Sequence, residues 1–190
     1  MAESTDPLTG LRSIGPDDVA ALTRFVSELP DGDRTFFKEG DDPETVAFWC
    51  RDERSGRWIV EAPDGRIRGY LAVIPGVGWS SHVGELRVVV AGDARRMGIG
   101  RALAHRGLLE SVRRGLDKIV VEVVADKEGD IAMFTSIGFD AEALLKNHIR
   151  DRHGETRDLL ILAHDVGEVR DSLHALGIDQ ETGVDLSGGR

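Results

Sequence analysis

The chain has 190 residues, 41% of them hydrophobic and 31% charged, with a formal net charge of −10 at pH 7. This length predicts one globular domain with tails, and because no apolar run approaches about 18 residues, the sequence excludes a transmembrane helix. The acidic balance disfavours nucleic acid and anionic membranes as partners, and a single cysteine with a polar N-terminus favours a cytoplasmic location.

In the first half of the chain, segments with helical spacing of apolar residues alternate with short strand-like runs. Pro16 and the acids after it are typical of a helix start, and Asp64-Gly65 is a favoured pair for a hairpin turn. The predicted elements are, in chain order, a flexible lead at 1–10, a short strand at 11–14, a helix at 15–29, a loop at 30–42, a helix at 43–51 and a hairpin at 57–75.

The second half contains the strongest buried-strand patterns. The nearly continuous valines at 85–91 predict a central strand that is covered on both faces. The predicted elements are, in chain order, this strand, a helix after residue 100, a strand at 118–125, a short helix at 130–139, a hairpin with strands at 141–149 and 156–165, and a short helical pattern at 168–177 in a tail that covers 166–190. The order predicts one mixed α/β domain over residues 11–165.

Two glycines, Gly98 and Gly100, lie where the helix after the valine strand is about to begin. Glycine is common in any strand-to-helix connection, and it also allows a ligand to approach the backbone closely. A helix N-terminus carries unpaired N–H groups and partial positive charge, so this turn is a candidate phosphate site. Residues 95–118 hold seven basic and two acidic side chains, which indicates either a solvated helix face or additional charge for an anion.

The segment from Arg95 to Gly100, which we call the glycine turn, reads Arg-Arg-Met-Gly-Ile-Gly. It is neither a Walker A loop nor G-x-G-x-x-G, since Leu103 stands where the third glycine would be. It resembles the R/Q-x-x-G-x-G/A segment of the GCN5-related N-acetyltransferase (GNAT) superfamily, and the surrounding elements over roughly residues 8 to 165 resemble that family too. The resemblance implies an α/β fold with a central mixed, mostly antiparallel sheet, a splay between the two central strands and helices on both faces.

The resemblance also implies acetyl-CoA as co-substrate, with its pyrophosphate on the glycine turn. The thioester oxygen would receive a backbone N–H from the central strand, around Val88 to Val90. The implied cofactor contacts are Val88, Val89, Val90, Arg95, Arg96, Met97, Gly98, Ile99, Gly100, Arg101, Lys127 and Phe134.

Two glutamates are candidates for the base that takes a proton from the attacking amine. Glu85 begins the central strand and resembles the base of bacterial protein lysine acetyltransferases; it can equally be a polar strand start. Glu122 lies within a valine-rich strand and resembles the glutamate of ribosomal-protein N-terminal acetyltransferases. Since burying a lone carboxylate is costly, a structural ion pair with Arg87 or a nearby arginine is the alternative for Glu122.

The chain departs from the family in its second motif. Aligned on Gly138-Phe139, Lys127 takes the slot of the usual asparagine and Phe134 that of the usual tyrosine acid. Phenylalanine cannot donate a proton, so water or Ser136 would have to protonate the departing thiolate. The histidines at 82, 148 and 153 are candidates for lining an acceptor cleft, and no spacing of His, Cys and acids predicts a metal site.

The sequence therefore predicts an acetyl-CoA-dependent N-acetyltransferase that acts on a primary amine: a protein lysine, a protein N-terminus or a small amine. An acidic surface around the cleft would favour a cationic acceptor. The alternatives are a non-catalytic acyl-CoA-binding or sensing module, and a transferase of a larger acyl group. A homodimer is possible, and neither a metal, nucleic acid nor a membrane is expected as a partner.

Overall fold

A computed structural model describes residues 6–34, 42–151 and 153–167. The helical pattern predicted at 168–177 lies outside these residues. The helices are α1 Val19–Glu28, α2 Asp31–Arg34, α3 Pro43–Trp49, α4 Ile99–Arg113 and α5 Glu128–Thr135, and short 3₁₀ helices cover Pro16–Asp18, Gly78–Ser80 and Gly92–Ala94. The strands are β1 Leu11–Ser13, β2 Gly56–Glu61, β3 Ile67–Pro75, β4 Val83–Val90, β5 Lys118–Val124, β6 Asp140–Arg150 and β7 Thr156–Asp165.

The seven strands form one sheet in the order β1-β2-β3-β4-β5-β7-β6. Only β4 and β5 run parallel, and the other neighbouring pairs are antiparallel. The predicted mixed, mostly antiparallel sheet is therefore confirmed, and the valine strand lies at its centre.

Helices cover both faces of the sheet because alternate strand residues point to opposite sides. On one face, α4 contributes Leu103 to a core that includes Leu71 of β3 and Ile119 of β5. On the other face, α1 and α3 contribute Leu22 and Trp49 to a second core with residues of β2 and β3. The core residues of the helices recur at helical spacing, and those of the strands alternate along each strand. The sequence pattern alone therefore accounts for the layered packing.

The two central strands separate soon after they meet. The β4–β5 ladder contains only the pairs Val83–Lys118, Gly84–Ile119 and Glu85–Val120, although β4 continues to Val90 and β5 to Val124. The predicted splay is confirmed, and we call the space between the separated parts of the strands the β4–β5 gap.

Several predicted details are wrong. The valine strand is not covered on both faces: Leu86 is buried, but Glu85, Arg87, Val88 and Val90 stay partly exposed where they border the β4–β5 gap. The predicted loop at 30–42 contains α2, while 35–41 lies outside the described residues. Further, β4 begins at residue 83 and α5 at residue 128, each two residues before the predicted start.

The described parts of the two tails contact the domain. Residues 6–10 form a turn in which the Leu11 N–H donates to the Leu8 carbonyl, and the Gly10 carbonyl accepts from the Glu61 N–H of β2. Leu8 packs against the α4 core, and Val166, just after β7, is buried in it. These contacts extend the packed domain slightly beyond the range of 11–165.

An ion pair joins β1 to the 3₁₀ helix Pro16–Asp18, which precedes α1. The Arg12 guanidinium of β1 donates two hydrogen bonds to the Asp18 carboxylate, at 2.6 and 2.8 Å. These bonds lower the pKa of Asp18; burial opposes the shift, and the Gly15 N–H adds to it. Since the folded pKa lies below the unfolded one, this stabilisation is present above the unfolded value and is lost as the pH falls through the folded value.

We therefore expect Asp18→Asn to lower the free energy of unfolding by about 1–2 kcal/mol at pH 7. The difference from wild type should shrink as the pH falls from about 4, the usual pKa of an unfolded aspartate, through the lower pKa of the folded state. Urea unfolding at several pH values measures this. Asp17→Asn, at the exposed neighbouring position, removes the same charge and serves as control. An equal loss in both variants would contradict the assignment.

Candidate functional site

A cleft of about 1020 Å³ occupies the β4–β5 gap and extends to the start of α4 and to β6. It brings together residues of four strands and three helices, which in sequence run from Asp33 to Leu159. Its lining includes both candidate bases, Glu85 and Glu122, and ten of the predicted cofactor contacts: Val88, Val89, Val90, Arg95, Arg96, Gly98, Gly100, Arg101, Lys127 and Phe134.

Two predicted contacts do not line this cleft with their side chains. Met97 is 57% exposed and Ile99 is only 4% exposed, within the α4 core. Ile99 anchors the first turn of α4, so any contact from Ile99 to a cofactor would come from its backbone.

The glycine turn has an unusual backbone. Gly98, the N-cap of α4, has φ +81°, and Arg96 has φ +62°. The left-handed region costs a residue with a side chain about 1–2 kcal/mol, whereas glycine adopts it freely. The conformation of Arg96 is therefore a local strain beside the cleft. At position 98 the positive φ is itself the reason for a glycine.

Gly100 is not required in that way. It lies in the first turn of α4, has no positive φ, and an added Cβ would meet only Val90 Cγ2, at an ordinary contact distance of 3.5 Å. Ala is a better helix residue than Gly by up to about 1 kcal/mol. Neither the backbone conformation nor the packing therefore requires a glycine here, and a longer side chain at this position would have room to extend into the cleft that it lines.

Only part of the basic segment at 95–118 reaches the cleft. Arg95, Arg96 and Arg101 line it, whereas Arg106 and Arg113 pair with Glu110 along α4. The start of the segment therefore lines the cleft, where its charge for an anion stays a prediction, and two arginines further along α4 form ion pairs on the helix.

The two candidate bases lie on the same face of the sheet. Glu85 is paired with Val120 in the β4–β5 ladder, and Glu122 lies two residues further along β5, hence on the same side. Arg87, also on this face, donates to both oxygens of Glu85, at 2.8 and 3.3 Å. Arg87, which the sequence offers as a structural partner for Glu122, is thus hydrogen-bonded to Glu85.

Backbone donors of β4 point into the β4–β5 gap. The Val83 carbonyl accepts from the N–H of Gly76, and the Ala91 N–H donates to Arg68, so the odd-numbered residues direct their polar groups towards β3. Successive residues alternate in this respect. The N–H groups of Val88 and Val90 therefore point to the β5 side, beyond the last ladder pair.

A bulge in β6 borders the other side of the cleft. Leu145 pairs with Leu159 and Ile149 with Arg157, so a step of four residues on β6 opposes a step of two on β7. Asn147 in the bulge has φ +52°, and its N–H donates to Asp158 Oδ1 at 2.8 Å. Bulges re-aim side chains, and three residues at this point line the cleft: His148, Ile149 and Arg150.

The slot of the usual tyrosine acid holds Phe134, which has no proton to donate. Phe134 is 7% exposed, packs edge-on against Phe139 at 5.3 Å between ring centroids, and lines the cleft. Ser136 lies outside the cleft lining, donates to the Met133 carbonyl at 2.6 Å and accepts from Arg101 at 3.2 Å. Of the two predicted substitutes, Ser136 is thus hydrogen-bonded to other groups and does not line the cleft, and water stays a prediction.

The cleft is not acidic, unlike the chain as a whole. Six basic side chains line it against four acidic ones, together with His148. The expected acidic surroundings are therefore absent from the lining, because acids of the chain lie elsewhere on the surface. His82 and His153 are not among the lining residues.

Sequence reasoning missed several lining residues. Asp33 carries no sequence signal, because only the position of α2 brings it to the cleft. Ile149 and Arg150 reach the cleft at the β6 bulge, which no sequence pattern predicts. Gly129, Asp130 and Met133 were within reach, since they follow Lys127 on the helix that borders the cleft.

Among residues 6–34, 42–151 and 153–167, no group of three or more His, Cys, Asp or Glu is arranged to hold a metal ion. Over the same ranges, none of the helices has the length and apolar character that crossing a membrane requires.

Comparison with known proteins gives a consistent result. Residues 23–139 match the acetyltransferase (GNAT) family. A mycothiol acetyltransferase of Arthrobacter sp. (strain FB24) is 35% identical over 88 residues, which cover 45% of this chain and 27% of that protein. The chain spans between 27% and 44% of the length of the mycothiol acetyltransferases that it matches.

Two solved structures have the same fold. The ribosomal-protein-alanine N-acetyltransferase of Brucella melitensis is 25% identical with a TM-score of 0.70, over 82% of this chain and 98% of that one. A Salmonella typhimurium acetyltransferase solved with its cofactor acetyl-CoA is 19% identical with a TM-score of 0.68, over 82% of this chain and 92% of that one. At 19% identity, the second likeness concerns the fold alone.

Proposed function

Since the chain belongs to the acetyltransferase (GNAT) family, we propose that it transfers the acetyl group of acetyl-CoA to a primary amine. The observation that carries the proposal is the cleft in the β4–β5 gap. The glycine turn lines one side of this cleft, and one glutamate from each of the two strands, Glu85 of β4 and Glu122 of β5, also lines it. The amine nitrogen attacks the thioester carbon, the C–S bond breaks, CoA leaves as the thiolate, and the proton of the amine passes to a base.

The glycine turn binds the pyrophosphate in this proposal. The first N–H groups of α4 have no partner within the helix and carry its partial positive charge, and Gly100 keeps the approach to them open. Arg95, Arg101 and Lys127 add charge from the cleft lining. Support for acetyl-CoA as the ligand comes from the resemblance of the turn to the GNAT segment and from the Salmonella protein with the same fold.

The pantetheine arm lies in the β4–β5 gap, where it takes the place of the missing strand partner. The thioester oxygen then accepts a hydrogen bond from the N–H of Val88 or Val90, both of which point into the gap. As the tetrahedral intermediate forms, its negative charge is stabilised by these fixed donors, and such donors contribute about 100-fold or more to the rate.

The amine approaches from the face that carries Glu85 and Glu122. An alkylammonium ion has a pKa near 10.4, so near neutral pH a base must remove a proton before or during attack. We assign this role to Glu85, directly or through water, because it stands at the last ladder pair where the gap begins. Glu122 is the alternative base on the same face.

Two observations bear on the class of amine that accepts the acetyl group. The names of the similar proteins point in two directions, to mycothiol and to the alanine of a ribosomal protein. The mixed charge of the cleft, with Arg87 and Arg150 beside the two glutamates, does not favour a purely cationic acceptor.

A panel of amines tests the function. Thiol release from acetyl-CoA would be followed with a peptide that begins with alanine, a lysine peptide with a blocked N-terminus, and small amines. We expect turnover on the order of 1 per second or faster with one class. Propionyl-CoA and succinyl-CoA, with the same acceptors, test whether a larger acyl group is preferred.

Phe134 favours one other candidate, an acyl-CoA-binding or sensing module without turnover, since it provides no acid for the thiolate. The same assay separates the two functions. Acetyl-CoA binding by calorimetry without thiol release from any amine would support the binding module over the enzyme.

A further inference from the structure

The cleft contains an acid that the proposed chemistry does not use. Asp33 of α2 forms an ion pair with Arg95 of the glycine turn through one carboxylate oxygen. Its other oxygen lies 4.0 Å from Lys127 Nζ, at the start of α5. Only 14% of the Asp33 side chain is exposed, so the carboxylate lies inside the cleft, between cations from two different elements.

Arg95 and Lys127 are also two of the cations that would bind the cofactor pyrophosphate. A carboxylate and a phosphate make the same kind of charge-assisted hydrogen bond to a guanidinium group, and both cannot occupy the same donors. We infer that Asp33 occupies the phosphate seat of the cofactor-free protein and that α2 withdraws when the pyrophosphate binds. This inference rests on the proposed function.

A neighbouring acid supports the argument. Asp130 of α5 also lines the cleft. Desolvation raises the pKa of Asp130; Lys127 opposes this shift, Asp33 adds to it and Arg95 opposes it. The two carboxylates therefore share one electrostatic environment, and a pyrophosphate that entered with Asp33 in place would meet both.

Asp33 thereby lowers the affinity for a cofactor that carries phosphate. When only the withdrawn state of α2 can bind, the apparent dissociation constant equals the intrinsic one divided by the fraction of molecules in that state. Removing the charge of Asp33 increases that fraction. If Asp33 instead held Arg95 in a binding position, removing the charge would weaken binding, so the two roles predict opposite signs.

Calorimetric titration with acetyl-CoA tests this sign. We expect Asp33→Asn to bind about three- to tenfold more tightly than wild type, the range that a partly buried ion pair supports. Asp31→Asn is the matched control: it removes the same charge from α2, but Asp31 is half exposed, pairs with Arg34 and does not line the cleft. This control should bind acetyl-CoA as wild type does.

A second ligand locates the effect. S-Acetylpantetheine lacks the pyrophosphate, so Asp33→Asn should bind it no more tightly than wild type does. Equal or weaker acetyl-CoA binding by Asp33→Asn would overturn the inference while leaving the proposed function intact. A wild-type protein that binds no acetyl-CoA would overturn the proposed function, and the inference with it.

Hydrogen exchange tests the withdrawal directly. The amides of Asp31–Arg34 should exchange faster in the wild-type complex with acetyl-CoA than in the free protein. Slower or unchanged exchange in the complex would contradict the displacement of α2, even if the affinities changed as expected.

Discussion

Gly100→Glu is expected to abolish acetyl-CoA binding without a loss of stability. The new side chain would begin from the first turn of α4, at a position that lines the cleft, and would place both bulk and a negative charge on the proposed phosphate seat. We expect the dissociation constant to rise at least about 100-fold, which corresponds to roughly 2.7 kcal/mol of binding free energy.

The stability of this variant should not fall, for two reasons. Glu is a better helix residue than Gly, and an acid in the first turn interacts favourably with the helix dipole. The Cβ itself has room, since its nearest neighbour would be Val90 Cγ2 at 3.5 Å. Thermal unfolding should therefore show a melting temperature at or above that of wild type, so lost binding could not be attributed to unfolding.

Gly100→Ala is the matched control, because the GNAT segment that the turn resembles admits alanine at this position. It should bind acetyl-CoA within about threefold of wild type and be slightly more stable. Position 98 gives a less direct test: with φ +81°, any side chain there strains the turn, and Gly98→Glu would combine strain with repulsion. Normal acetyl-CoA binding by Gly100→Glu would show that the glycine turn is not the phosphate seat.

The second large effect concerns the base. With an acceptor that the amine panel identifies, Glu85→Gln should lower turnover at saturating acetyl-CoA about 100-fold or more, the range of a lost general base. The affinity for acetyl-CoA should stay within about twofold, since the glycine turn lies at the other end of β4. The turnover should also lose the part of its pH dependence that reflects deprotonation of the carboxyl group.

Glu122→Gln is the variant to compare with Glu85→Gln, because it removes a carboxylate from the same face of the sheet. If Glu85 is the base, this variant should retain most of the turnover. The opposite result, with unchanged rates for Glu85→Gln from pH 6 to 9 and a large loss for Glu122→Gln, would transfer the role to Glu122. Because Glu85 is hydrogen-bonded to Arg87, Arg87→Gln distinguishes loss of the base from loss of the ion pair: it should keep the pH dependence that Glu85→Gln loses.

Much of the site could be predicted because its most informative part is local. The glycine turn, the strand before it and the helix after it are contiguous in sequence, so the resemblance to one family could be recognised from six residues and their flanks. The two candidate bases also followed from local observations: Glu122 is a carboxylate within an apolar run, and Glu85 begins the strand that leads into the glycine turn. These features depend on backbone conformation and alternation, which neighbouring residues largely determine.

Other features could not be predicted because they depend on contacts between distant residues. Asp33 meets Arg95 across 62 positions, and the register shift in β6 depends on the partner strand. The side chain of Ile99 is buried although its neighbours in the glycine turn line the cleft, because the rotation of α4 is set by its packing on the sheet.

The sequence by itself determined most of the order of elements, the central position of the valine strand and the place of the glycine turn before α4, because apolar periodicity and glycine position act over a few residues. Only the tertiary structure decided where β4 and β5 part, which side chains share the cleft and which partner each charge takes. These depend on the sum of many non-local packing and ionic interactions, and no single stretch of the chain contains that information.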